Sequence, residues 1–170
     1  MMRKLIIPAP PDPADPGTRD EAGRMYIPEL ATVLVTSEAA EHPVDCLFDG
    51  HDGPGGTRWV AAVDGEQVLI LAFDTPQTIQ EVGLETEELQ TSRTQVLTLS
   101  LSQDGGRTYR EILRQEFNFS PPGTTFEREC WTVPAAMVSH LRITIRPDKG
   151  GNLGRASLTS LTIRGGRDPL

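Results

Sequence analysis

Cysteine is nearly missing from this chain. Cys46 and Cys130 are the only two, and their spacing matches neither a metal knuckle nor a redox C-x-x-C pair, so two buried free thiols are expected. Histidine is scarce as well: His42, His51 and His140 form no H-x-H or H-x-x-x-H pair, which removes the usual sequence signs of a zinc site. Positive charge is in deficit, with 16 Lys and Arg against 24 Asp and Glu and a formal net charge of −8. The mean field therefore repels phosphate backbones and anionic headgroups. The basic residues are scattered, so nucleic acid is excluded as an expected partner. Long apolar runs are absent too. The opening run Leu5-Ile6-Ile7 ends at Pro8, too short for a signal peptide, and nothing approaches the ~18 apolar residues of a membrane helix. A soluble cytoplasmic protein is the expectation. Catalytic signatures are missing likewise: there is no G-x-S-x-G elbow and no G-x-x-x-x-G-K-[ST] loop, and no enzymatic activity is expected.

What is present points to strands. At 170 residues the chain fits one domain, and a domain of this size buries roughly 70% of its unfolded surface. Residues 8–23 hold Pro8, Pro10, Pro11, Pro13 and Pro16, which favours an extended arm; Met25, Tyr26 and Ile27 would dock it as a short edge strand. Residues 31–36 read as the first strand. Residues 67–74 form a nearly continuous apolar run, read as a strand buried on both faces. Thr75-Pro76-Gln77-Thr78 reads as a turn into a strand over 79–87, where Val82 and Leu84 alternate with Glu81, Gly83 and Glu85. Residues 94–102 alternate more clearly, with Leu97, Leu99 and Leu101 on one face. Asp104-Gly105 signals a type I′ hairpin, followed by a strand over 109–119. Residues 126–133 resume, Pro134-Ala135-Ala136 leads into a strand over 141–146, and residues 158–164 close the chain. Eight or nine strands at short spacing, with no useful amphipathic helix, predict an all-β sandwich. Its expected core is Leu34, Leu47, Phe48, Trp59, Leu69, Leu71, Phe73, Val82, Leu84, Leu97, Leu99, Leu101, Leu141, Ile143, Ile145, Leu161 and Ile163.

The most informative stretch runs from Leu47 to Trp59. Asp49, Asp52 and Thr57 share a loop with Gly50, Gly53, Gly55 and Gly56, whose freedom at positive φ lets backbone and side-chain oxygens converge. Such a loop suits either a hard cation or an internal hydrogen-bond network. It resembles the T-S-S…D-G-x-x-x-T-x-W segment of the discoidin domains, also called F5/8 type C or galactose-binding-like domains. Ser102-Gln103-Asp104-Gly105-Gly106-Arg107-Thr108-Tyr109 is similar to their S-x-D-G-x-x-[WY] hairpin.

The resemblance covers residues 31–165. It implies a jelly-roll sandwich of about eight antiparallel core strands, with residues 1–30 as an N-terminal arm and 166–170 as a tail. It implies a buried position for Trp59 and a Tyr109 that caps the core, while Trp131, beside Cys130 and Val133 on a strand, reads as a packing residue from its neighbours. It also implies either a structural calcium held by Asp49, Asp52 and Thr57 or a metal-free loop pinned by Asp49 and Thr57. Ser160 stands where the family commonly has an acidic ligand. Ligands in the family bind loops at one end of the sandwich, which singles out His51, Arg58, Asn152 and Arg155 as hydrogen-bonding residues. The loop 148–154 carries no aromatic residue, and loops this polar disfavour membrane insertion. Two functions stay open: a non-catalytic carbohydrate-binding module, or a protein-interaction and assembly domain, with the N-terminal arm packing on a neighbouring copy.

Overall fold

Regular alternation builds most of the molecule. The computed structural model describes residues 2–4 and 23–166. In chain order it contains β1 (Met2–Lys4), a single helical turn α1 (Ile27–Leu30), β2 (Ala31–Val35), a 3-10 turn (Val44–Phe48), β3 (Trp59–Val60), β4 (Gln67–Glu87), β5 (Arg93–Ser102), β6 (Arg110–Phe119), β7 (Phe126–Arg146), β8 (Ser157–Leu158) and β9 (Ser160–Gly165). Every pairing between these strands is antiparallel. Among the described residues no helix is long and apolar enough to cross a membrane. The proline-rich arm over residues 8–22 and the last four residues of the tail lie outside the described residues.

The strand order is β1-β2-β4-β7-β5-β6, with β9 also on β4 and with β3 and β8 forming a small ladder of their own. β4 and β7, of 21 residues each, run side by side from Gln67 opposite Ile145 to Glu87 opposite Phe126, with an interruption near the middle. The first half of β4 has β2 as its other neighbour and the second half has β9. One ladder thus passes through both layers of the sandwich. The turn expected at 75–78, and the Pro134-Ala135-Ala136 stretch expected to separate two strands, are bends inside these two long strands. The ladder shifts register between Ala72 and Glu81, and Met137 takes a φ of 56° on the opposite strand. Pro76 and Pro134 have no N–H for the ladder, and a bulge tolerates that loss as readily as a turn does.

Leu97, Leu99 and Leu101 point into the core as their alternation requires, together with Leu69, Leu71, Phe73, Val82, Leu84, Leu141, Ile143, Ile145, Leu161 and Ile163. Leu34 and Phe48 are only half-buried. In β2 the inward positions are Val33 and Val35, which turns Leu34 to the other face. The apolar run of β4 is buried on one face only: Leu69, Leu71 and Phe73 lie inside, while Val68, Ile70 and Ala72 are half-covered on the outer face. Ile79, Phe117, Phe119, Val138 and Leu158 complete the core. Gln95 of β5 ties the layers together, donating to Ser157 O at 3.0 Å and Thr86 Oγ1 at 3.3 Å and accepting from Ser157 N. Its buried amide is therefore satisfied.

The docking segment is shorter than a strand. Met25 N donates to Ile163 O and Gly165 N to Gly23 O, a single bridge on β9 before the chain turns into α1. The cysteines also differ from expectation: Cys46 is half-buried and Cys130 exposed, and neither forms a disulfide.

Candidate functional site

The glycine-rich loop begins where the 3-10 turn Val44–Phe48 ends, its first amide capped by Glu38 Oε2 at 2.8 Å. Asp49 closes the loop on itself. One carboxylate oxygen accepts from His51 N at 2.9 Å and the other from the Thr57 hydroxyl. Burial pushes the Asp49 carboxyl upward, but the bonds from Thr57 and His51 outweigh it and hold the group below its ordinary range. Gly56 is fixed by space: a Cβ there would stand 2.1 Å from His51 O.

Two buried carboxylates of β4 hold this loop from below. Gly53 N donates to Glu85 Oε1 at 2.8 Å, and Gly55 N to Glu87 Oε2 at 3.1 Å. The second Glu85 oxygen takes Arg128 Nε at 2.6 Å. Glu85 lies directly across the ladder from Ser160, so a carboxylate is present at this level of the sandwich, one strand away from the expected position. Alternation had assigned Glu85 to the solvent face. Instead the loop covers that face, and residues 84–87 are buried on both sides.

Of the three proposed cation ligands, Asp49 and Thr57 come together as a hydrogen-bonded pair. Asp52 leans toward Arg24, 3.9 Å away. Among the described residues no three His, Cys, Asp or Glu side chains cluster as metal ligands. The inward-facing backbone groups at Gly53 and Gly55 are N–H donors, which repel a cation. As arranged, this donor set fits the metal-free loop and not a calcium shell.

A cleft of about 560 Å³ opens beside the loop, between residues 39–42, 87–93 and 148–155. Arg58, Asn152 and Arg155 all line it, as does His42. His51 does not: its side chain is 74% exposed and lies 3.6 Å from Asp49. The 39–42 segment is tied to β3 through Ala39 N to Val60 O at 2.8 Å and Val60 N to His42 O at 3.2 Å. The Asp148 carboxylate organises the last loop, accepting from Asn152 Nδ2 at 2.6 Å, Gly150 N at 3.3 Å and Thr94 N at 3.4 Å. These bonds, Asn152 first, keep its pKa below the usual carboxylate range.

Arg93 is the anchor that sequence reading missed. Its side chain is 7% exposed. Nη1 donates to Arg155 O at 2.8 Å and Pro147 O at 3.3 Å, and Nη2 to Ser157 Oγ at 3.2 Å. Nε stands 3.0 Å from Glu88 Oε1 but makes no directed hydrogen bond there, so that contact is Coulombic. Burial pulls the guanidinium pKa down while Glu88 and Asp148 oppose the shift. Nothing in Thr91-Ser92-Arg93-Thr94 distinguishes this arginine locally; its partners lie 54 to 64 residues away.

Above the cleft floor, neither the Arg58 nor the Arg155 side chain has a hydrogen bond or ion pair among the described residues. Leu89 and Leu153, 53% and 86% exposed, supply its apolar rim. No aromatic residue lines it. Burial raises the pKa of both thiols, and nearby carboxylates add to the effect, so neither is an activated nucleophile.

The far end of β5 carries the hairpin loop, residues 103–109. It is longer than a two-residue turn, and positive φ falls at Gly105 and Gly106. Asp104 Oδ1 accepts from Thr108 N at 2.9 Å, Arg107 N at 3.1 Å and Ser102 Oγ at 2.8 Å, and Oδ2 takes the Thr108 hydroxyl. Tyr109 is half-buried beneath Arg142, whose guanidinium carbon lies 4.0 Å from the ring centroid.

No protein-family model and no curated protein sequence matches the chain. Solved structures do. A family 32 carbohydrate-binding module from a family 31 glycoside hydrolase of Clostridium perfringens superposes with a TM-score of 0.63 at 16% identity, covering 86% of this chain and 99% of the other. The C-terminal domain of a chitobiase from Bacteroides fragilis gives 0.61 at 17%, covering 84% and 97%. The family 32 module of Clostridium perfringens NanJ, solved in complex with galactose, gives 0.59 at 16%, covering 83% and 97%. Strand order, the bent two-layer ladder and these superpositions agree that the chain has the fold of the discoidin-type, galactose-binding-like β-sandwich.

Proposed function

We propose that this chain is a non-catalytic carbohydrate-binding module whose ligand sits in the cleft between residues 39–42, 87–93 and 148–155. The observation that carries this reading is convergence: three chain segments far apart in sequence, joined by Arg58 just before β3, surround one cavity of about 560 Å³ and bring Arg58, Asn152 and Arg155 onto it. That volume is within the range of small-ligand sites. The similar modules solved with galactose, and with GalNAc-β-1,3-galactose, lend the ligand class.

The binding chemistry follows from the atoms left open. Asn152 gives one amide hydrogen to Asp148 and keeps its oxygen for a sugar hydroxyl. Arg58 and Arg155 offer planar forks of N–H donors. Leu89 and Leu153 supply an apolar rim in place of an aromatic platform, so affinity is expected near millimolar, about 4 kcal/mol. Catalysis has little to work with. Glu88 is paired to Arg93, Glu87 is bonded to Gly55 N, and Asp148 accepts three donors. None is a free acid or base facing the cavity.

A glycan array with wild type and with Arg58→Ala/Asn152→Ala tests the assignment. Retention of a glycan by wild type and its loss in the double variant, with unchanged melting temperature, is the expected result. Equal retention by a folded double variant would place the ligand elsewhere, and no retention at millimolar ligand would overturn the function. The assembly reading rests on the N-terminal arm, of which residues 5–22 lie outside the described residues, while Met2–Lys4 pairs with β2 and Met25 and Ile27 are buried in the chain's own core. A light-scattering mass of one chain would remove it.

A further inference from the structure

The charge pattern of the cleft narrows its ligand, given that the cleft is a sugar site. Three arginines and three carboxylates line it: Arg58, Arg93, Arg155, Glu87, Glu88 and Asp148. Their formal charges cancel, but their hydrogen-bonding states do not. Glu87 accepts from Gly55 N, Glu88 faces Arg93, and Asp148 accepts from Asn152, Gly150 and Thr94. Arg93 in turn is directed at backbone carbonyls and Ser157. What remains open and charged is wholly donor: the guanidiniums of Arg58 and Arg155, each with five N–H groups, against neutral acceptors only, Asn152 Oδ1 and the side chains of His42, Gln90, Thr91 and Ser92.

A neutral sugar presents hydroxyls that both donate and accept, and it is best met by a mixture of both. A donor-rich cavity matches a ligand rich in acceptors. The mounting of the two arginines points the same way. Arg155 has its carbonyl fixed by Arg93 at 2.8 Å, and Arg58 precedes the buried Trp59, so both backbones are held while the guanidiniums have no partner among the described residues. Among the described residues Arg107, Arg110, Arg114 and Arg146 also lack a side-chain partner, so what sets Arg58 and Arg155 apart is the larger cleft of about 560 Å³ that they share. The overall field repels a polyanion, so retention of one requires a local basic site.

We propose that the cleft binds an acidic sugar: a uronic acid whose carboxylate is received by the Arg58 and Arg155 guanidiniums, with a ring hydroxyl donating to Asn152 Oδ1. Planar carboxylates match the arginine fork in two parallel bonds. A sulfate ester on a neutral sugar shares part of this chemistry, and the test separates the two.

Isothermal titration with trigalacturonate, its methyl ester, galactotriose and a sulfated galactose oligomer distinguishes the outcomes. Trigalacturonate is expected to bind at least ~10-fold more tightly than its methyl ester or galactotriose, about 1.4 kcal/mol. Arg58→Ala/Arg155→Ala should remove that preference while the melting temperature holds. Equal binding of galactotriose and trigalacturonate would overturn the acidic-sugar assignment and leave the binding-module reading standing. Preference for the sulfated oligomer would overturn the uronate in favour of a sulfate. Failure to bind any of these, or any member of the glycan array, would overturn the module reading itself.

Discussion

The two ends of the sandwich solve the same local problem in different ways. Each carries a glycine-rich loop opened by an aspartate that takes backbone N–H groups and a threonine hydroxyl: Asp49 with His51 and Thr57, and Asp104 with Arg107 and Thr108. At the hairpin end the bonds of Asp104 stay within residues 102–108, and the longer-range ties, Gly105 N to Ser139 Oγ at 3.0 Å and Gln103 Nε2 to Ala136 O at 2.7 Å, are made to neutral groups. At the cleft end the loop is also held by Glu85 and Glu87, 32 residues onward from Gly53 and Gly55, and its neighbour by the buried Arg93. A loop closed by its own aspartate and by neutral groups of the neighbouring strand keeps its shape without a buried charge. A loop closed by distant buried charges takes its position from the fold, which is what a cleft built from three segments requires.

The sharpest way to break this contrast is Arg93→Ala. Removing a buried guanidinium strands Glu88 and the Arg155 carbonyl, and a loss of about 3–5 kcal/mol is expected in urea unfolding. A variant as stable as wild type would mean that Arg93 does not anchor the cleft. Next is Glu87→Ala, which leaves Gly55 N without its acceptor at a cost of about 1–3 kcal/mol. The same variant should weaken glycan binding, because Glu87 also lines the cleft. Unchanged stability and binding would detach the loop from the site.

Asp104→Asn should have a smaller effect, and one that depends on pH. The bonds from Thr108, with those from Ser102 and Arg107, depress the Asp104 pKa in the fold. Its stabilisation is therefore present above the unfolded carboxyl value of about 3.9 and is lost as pH falls through the lower folded value. The melting-temperature gap between wild type and variant should narrow as the solution is acidified below pH ~4. A gap that stays constant would assign the loop's order to its glycines alone. The smallest expected change is with calcium: since Asp49 and Thr57 satisfy one another, melts with calcium and with chelator should coincide. An upward shift with calcium would show that the loop rearranges around an ion.

What was legible follows the same division. Leu97, Leu99 and Leu101 declare their face through a two-residue period, so β5 and the all-β class can be read from neighbours in sequence. The Asp104-Gly105 signal located the hairpin for the same reason, although the loop is longer than the signal implies. Arg58, Asn152 and Arg155 could be grouped because the resemblance placed their loops at one end. Arg93, Glu85 and Glu87 could not be found, because each reads locally as a polar residue beside a strand and acquires its role from groups 32 or more residues away. His51 was misplaced by proximity: it shares a loop with the site's supports, but the turn at Gly50 and Gly53, with φ of 79° and 82°, carries it outward. Pro76 and Pro134 mark interruptions in ladder bonding without saying whether the chain reverses or merely bends.

The long β4–β7 ladder sets the scale on which this molecule can come apart. Because one pair of strands serves both layers, neither layer is a separate unit of unfolding. Opening either half exposes hydrogen bonds and apolar surface in the other. Amides at Leu71 in one layer and Leu84 in the other should therefore exchange with solvent in a single step requiring global unfolding, while the loops that line the cleft exchange freely. A floor that opens only when the whole domain does is suited to ligands gripped by few contacts, since little order remains to be created when they arrive.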